Sequence, residues 1–269
     1  GAFRGQLKDC VLAGNAAANG GGAMLAILDG CSLTMNAASY GGAANQGRLE
    51  DCEVVGNTSA NGAGAYRAFV KRTLIATNSG FGILEGTAVN CRLIGNTGSG
   101  AGSSAVQGCL LRGNAPYGSS NSTNLNCTFT ENATTVLNGR STNCLFSFNR
   151  STSEGGGQSY CVFQSASTIA DMKTSVAAFP NLLGDGMHIA GDSPCLGRGT
   201  NTGLVECDID GQPFGNPPAI GCDEWNPQPL LVSQPRLMPG TSPGEAVLFL
   251  ELAGAPTWCG WTRDGGAIE

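Results

Sequence analysis

The sequence predicts an all-β fold, a right-handed parallel β-helix of about nine rungs. A residue period, a strand alternation within each period and an unusual composition predict it. The period is carried by Cys10, Cys31, Cys52, Cys91, Cys109, Cys127, Cys144 and Cys161, with Thr73 in the slot between Cys52 and Cys91. Successive differences are 21, 21, 21, 18, 18, 18, 17 and 17 residues. Five places after each lies Asn15, Asn36, Asn57, Asn78, Asn96, Asn114, Asn132 or Asn149, and only the ninth unit departs, with Ala166. A period near 20 sustained over many units is the mark of a solenoid.

Each unit opens with a short strand. Residues two apart are apolar, as in Cys10 and Leu12, Cys52 and Val54, Cys127 and Phe129, while Glu53, Arg92, Arg112, Thr128 and Glu131 lie between and around them. That alternation buries one face of a strand. Gly and Asn clusters such as "NAAANGGGA" and "NTSANGAGA" then bound it as turns. Units of 17 to 21 residues lack room for a full helix, and they suit coils stacked about 4.8 Å apart.

In such a stack equal positions lie above one another. The cysteines and Thr73 form an interior column of small side chains, and Leu12, Leu33, Val54, Ile75, Leu93, Leu111, Phe129, Phe146 and Phe163 form a larger apolar one. The asparagines are expected at a bend, in the left-handed backbone region, with amides bonded up and down the stack. Asn57, Asn121, Asn132 and Asn149 also open glycosylation sequons, but three of these are ladder positions, which favours the structural reading. Parallel Cβ vectors about 4.8 Å apart are wider than the 3.5–4.5 Å that a disulfide prefers, so buried free thiols are expected. A line of cysteines offers no convergent metal site, and no metal or other cofactor is expected.

Composition narrows the function. The chain has 269 residues, of which 42 are Gly, and its formal charge is −6. The 14 Lys and Arg are scattered, so no nucleic-acid footprint appears. No apolar run reaches the roughly 18 residues of a membrane span. The first unit has barely any chain before it, and a solenoid end needs a polar cap, so a fragment of a larger protein is expected.

The units "FTEN" and "FSFN" and the turns "GGGAM" and "GGAA" loosely resemble the repeats of polymorphic outer-membrane adhesins. Residues 179 to 226 are more specific. "GMHIAGDSPCLGRG" and "DIDGQPF…AIGCDEW" resemble the C-terminal segment of bacterial secreted right-handed β-helix proteins of the choice-of-anchor Q type. Phe214 stands where that pattern has Arg, and Cys222-Asp223 where it has Ala-Tyr or Ala-Phe. The resemblance implies an irregular cap and an extracellular or cell-surface location. The tail after Pro227 resembles the first strands of a bacterial immunoglobulin-like sandwich: strand A near 230–235, strand B at 246–252, and strand C with Trp261 as its core residue. The expected organisation is therefore 1–168 repeats, 169–227 cap and 228–269 a partial immunoglobulin-like module. Outside the cell, Cys195, Cys207 and Cys222 are expected to supply one disulfide.

Candidate chemistry is sparse. Asp51 and Glu53 read as neighbours on one outward face, with Arg72, Arg92 and Arg112 on later rungs. The set could grip a glycan, or be a solvated ion-pair patch with no catalytic acid in it; the second is the plainer reading. His188, the sole histidine, lacks a nucleophile motif to serve and reads as structural, and Asp208 and Asp210 of "DIDG" read as turn caps. The reading that results is an extracellular surface or matrix protein with a structural or adhesive role. Its partner would be a polysaccharide or another surface protein. The rival readings are a lyase or hydrolase of acidic polysaccharide and a filament subunit that self-associates through exposed strand edges.

Overall fold

A computed structural model describes residues 1–151, 155–164 and 174–225, and beyond them only short paired strands between 230 and 267. Among the described residues the regular structure is all β, and every strand pair of the repeat region is parallel. The strand after the cysteine pairs in register with its successor: Leu12 with Leu33, Leu33 with Val54, Ile75 with Leu93, Leu111 with Phe129, Phe129 with Phe146 and Phe146 with Phe163. This face holds ten strands, from Val11–Ala13 to Val176–Ala177. Two further segments of most coils belong to a 15-stranded sheet, in which Ala23–Asp29 and Ala44–Glu50 run through the corner that later coils break, and Ala16–Asn19 pairs with Ala37–Tyr40 as a separate two-stranded sheet. The chain is a parallel β-helix, and its core is the column between the faces.

The predicted columns are present. Leu33, Val54, Ile75, Leu93, Leu111 and Phe129 are fully buried. The rings of Phe129 and Phe146 stack at 5.1 Å and those of Phe146 and Phe163 at 4.7 Å, which is the strand spacing itself. Each cysteine Sγ donates back to the carbonyl two residues earlier, as in Cys52 to Glu50 (3.1 Å) and Cys109 to Gln107 (3.1 Å). Thr73 repeats this with Lys71 (2.8 Å), and its Oγ1 accepts the Cys52 N–H (3.2 Å). The column continues past the ninth unit: the Cys161 N–H donates to Ser175 Oγ (3.2 Å), and Val176–Ala177 pairs with Val162–Phe163. The stack therefore runs beyond the expected boundary at 168, while Ala166 lies outside the described residues.

The asparagine ladder is hydrogen-bonded as expected, but its backbone is not. Asn57 Nδ2 donates to Asn78 Oδ1 (3.0 Å) and to Leu33 O (2.9 Å), and the Asn57 N–H donates to the same Asn78 oxygen (2.9 Å). The left-handed residue is the one before each ladder asparagine, for example Met35 (φ 52°), Thr77 (φ 51°) and Glu131 (φ 57°). That residue makes the turn. The asparagine follows it and points inward, where its amide replaces the hydrogen bonds lost at the corner. Asn57 and Asn132 are fully buried in this role, and Asn121 is the exposed sequon asparagine.

After Phe179 the chain doubles back outside the stack as a strap over the outer side of the cysteine face. Leu145 and Val162 point outward yet are fully buried, because Ile189, Cys195, Ala219 and Ile220 pack on them. Leu110 is covered likewise by Met187, Ile209 and Cys222. The expected disulfide is absent here: Cys195, Cys207 and Cys222 are all free thiols. The reason is that Cys195 and Cys222 are each packing residues in a different cluster, and half-buried Cys207 lies beside Asn90. Farther on, Leu230–Leu231 pairs with Leu252–Ala253, Arg236–Pro239 with Ala246–Phe249 and Thr262–Arg263 with Gly266–Ala267, all antiparallel. Trp261 lies outside the described residues.

Candidate functional site

The corner just before the cysteine column decides where the strap can lie. Its left-handed residues are Asp9, Gly30, Asp51, Arg72, Asn90, Gly108, Asn126, Asn143 and Tyr160. On the early rungs these are charged or Gly, and from Asn90 to Asn143 they are Asn or Gly. Asn90 Nδ2 donates to Asp208 O (2.7 Å), and Asn143 exchanges two 2.8 Å bonds with the Thr200 backbone. The amides thus satisfy the irregular strap, which has no sheet partner of its own.

Where the strap ends, a cleft of about 320 Å³ opens between Asp51, Arg72, Leu74 and Arg92 on the stack and Ile209 and Asp210 on the strap. Three of the five expected residues meet here. Arg72 holds Asp51 through two 2.7 Å bonds and reaches Glu50 at 2.7 Å, while Arg48 binds the other Glu50 oxygen at 2.7 Å. Glu50, not Glu53, is the second acid of this network. Asp51 is left-handed (φ 52°) and sits in the corner, so the two-residue alternation that aligned it with Glu53 does not run through it. Arg92 turns to the strap, 3.8 Å from Asp210. Arg112 lies away from the cleft, held by both Glu131 oxygens at 2.9 Å and donating to Asp185 O at 3.2 Å. It is an anchor for the strap loop.

Behind Arg92 stands His188. Its Nδ1–H donates to Asp185 and its Nε2–H to Asp210 (2.6 Å), so both ring nitrogens face carboxylates. Burial works against its charge, but the bonds to Asp185 and Asp210 prevail and hold the imidazolium up to about 10. Burial likewise opposes ionisation of Asp185, yet the His188 ring and the N–H groups of Met187 and His188 bring it to about 2. Asp208 caps its own turn through the N–H groups of Asp210 (3.0 Å) and Gln212 (2.7 Å), and burial pushes it up to about 6. Asp223 accepts the Ile189 N–H (2.8 Å) and is pushed up to about 8 by burial. His188, Asp210 and Asp223 are the residues placed to hold a metal ion, with donor atoms within 4.8 Å of one another. The sequence reading missed the acids that surround His188. The apolar residues at the outward positions 110, 145 and 162 are a signal of a cover that the sequence reading did not use, and they do not say which segment supplies it.

Fold and site together define a parallel β-helix with an external strap and a charged cleft at the strap's edge. No family model and no curated protein matches the chain. A solved structure of pectate lyase Pel9A is similar to it over 76% of this chain and 72% of that one, at a TM-score of 0.40 and 13% identity. No helix among the described residues is long and apolar enough to cross a membrane.

Proposed function

We propose that this chain is a binding module of an extracellular or surface protein, and that the cleft at the strap's edge holds a polysaccharide segment without cleaving it. One observation carries the reading: each carboxylate lining the cleft is already held by a cation, Asp51 by Arg72 and Asp210 by His188. Glycoside hydrolysis needs one carboxylic acid to give a proton and a second carboxylate to attack or activate water. A carboxylate in a two-bond pair with a guanidinium is poorly suited to either role. Paired charges with free edges do suit sugar hydroxyls, which donate to carboxylates and accept from guanidinium N–H groups. Leu74 and Ile209 add apolar surface for the carbon face of a ring.

The test is affinity electrophoresis through gels containing polygalacturonate, alginate, xylan or a neutral glucan, alongside assays for reducing ends and unsaturated uronides. Retardation in at least one gel, weakened by Arg92→Ala, with no product in any, is the expected result. Product formation abolished by the Asp51→Ala/Glu53→Ala double variant in a folded chain would establish the enzyme instead. No retardation in any gel would rule out the polysaccharide partner.

A further inference from the structure

The binding reading leaves the cluster around His188 without a task. Asp210 and Asp223 are almost wholly buried, at 1% side-chain and 3% residue exposure, and each carries an ionisable carboxyl. Asp210 Oδ1 has no hydrogen-bond partner, and the Arg92 guanidinium stands 3.8 Å from it, beyond hydrogen-bond distance. A buried carboxylate oxygen left without a partner is costly, and a directly bound cation is the strongest remedy. His188 is oriented for one. Asp185 takes the Nδ1–H and so fixes the ring, which directs Nε2 at Asp210. A carboxylate that holds one imidazole nitrogen while the other faces a cation is the recurrent outer-shell arrangement of metal-binding histidines.

We propose that His188 Nε2, Asp210 and Asp223 form a site for a first-row divalent cation, with Asp185 as the positioning residue. Their donor atoms lie within 4.8 Å of one another, close enough to share one ion after small side-chain rotations. The ligand set of one imidazole nitrogen and two carboxylates fits Zn²⁺, Co²⁺ or Mn²⁺ better than Ca²⁺, which takes oxygen ligands throughout. Binding replaces the Nε2–H proton and any proton on the Asp223 carboxyl, both of which leave to solvent, and the two carboxylates then balance the charge of the ion. The ion would pin the 188 and 210 segments of the strap to each other. This goes beyond polysaccharide binding and does not depend on it.

Co²⁺ titration of the full chain tests it, because cobalt absorption separates nitrogen and oxygen ligands from thiolates. The expected result is visible d–d bands that saturate at one equivalent, with no thiolate charge-transfer band, and a rise in Tm with Zn²⁺. Asp223→Asn keeps an acceptor for the Ile189 N–H, so the strap should stay folded while affinity falls by about 100-fold. Asp185→Asn should lower affinity by about 10–100-fold, with the same cobalt spectrum. Absent d–d bands, a thiolate band, or unchanged affinity in a folded Asp223→Asn chain would each overturn the proposal.

Discussion

Replacing Asn96 by Ala removes one complete link of the corner ladder, and the structure sets the cost. Asn96 is 1% exposed. Its Nδ2 donates to Ile75 O and Asn114 Oδ1, both at 3.0 Å, and its Oδ1 accepts the Asn78 N–H (3.1 Å) and Asn78 Nδ2 (3.0 Å). Alanine deletes these four bonds and takes from the buried Asn78 N–H the acceptor it uses. A stranded buried donor costs about 1–3 kcal/mol, and each other lost bond about 0.5–1.5 kcal/mol. The sum is about 2.5–7.5 kcal/mol. Asn15 is the control, because it is half-exposed at the end of the ladder and water can replace what its amide gives. Asn15→Ala should cost less than about 1 kcal/mol. Guanidinium unfolding followed by far-UV circular dichroism measures both, with the slopes compared to detect a change in cooperativity. Stacked repeats are coupled mainly to their neighbours, so amide exchange should locate the loosening around Asn78 and Asn96. The ladder argument fails if Asn96→Ala stays within about 1 kcal/mol of the parent, or if Asn15→Ala costs as much as Asn96→Ala.

Thr73→Val keeps the column filled but removes the acceptor of the Cys52 N–H, and it should cost about 1–3 kcal/mol by thermal or denaturant melting while Thr73→Ser costs less. Asn143→Ala cuts two bonds to Thr200, so limited proteolysis should open the strap near residues 196 to 206 faster than in the parent, with the stack intact; equal cleavage rates would count against the docking role of this corner. Glu50→Ala should weaken the exposed ion-pair network by no more than about 1 kcal/mol, less at high salt, and Glu53→Ala should leave it unchanged, as double-mutant cycles with Arg72 can read. Secreted from a glycosylating host, the folded chain should carry glycan at exposed Asn121 and none at Asn57 or Asn132, whose Nδ2 atoms are buried and bonded; peptide mapping that finds a glycan on either buried position in folded protein would refute the ladder geometry.

The stack was legible in the sequence because stacking translates spatial identity into sequence period. A position that sits in one column meets its own equivalents, so Cys, Asn and the large apolar residues recur, and Thr73 could be recognised as a column member by spacing alone. Even within the repeats one local detail escaped. The left-handed residue precedes the asparagine, and a period shows which position is special without showing its φ. The Asp51 and Glu53 pairing failed for the same reason, since alternation holds along a strand and is lost at a corner. The strap obeys no period at all. Asn90 meets Asp208 across 118 residues, and Arg112 meets Asp185 across 73, each contact made once. A contact made once leaves no repeated mark to read. The cleft, the burial of Leu110 and Leu145, and the gathering of Asp185, Asp210 and Asp223 around His188 were therefore decided by tertiary structure, when an irregular segment packed on a corner whose Asn90 and Asn143 amides satisfy its backbone.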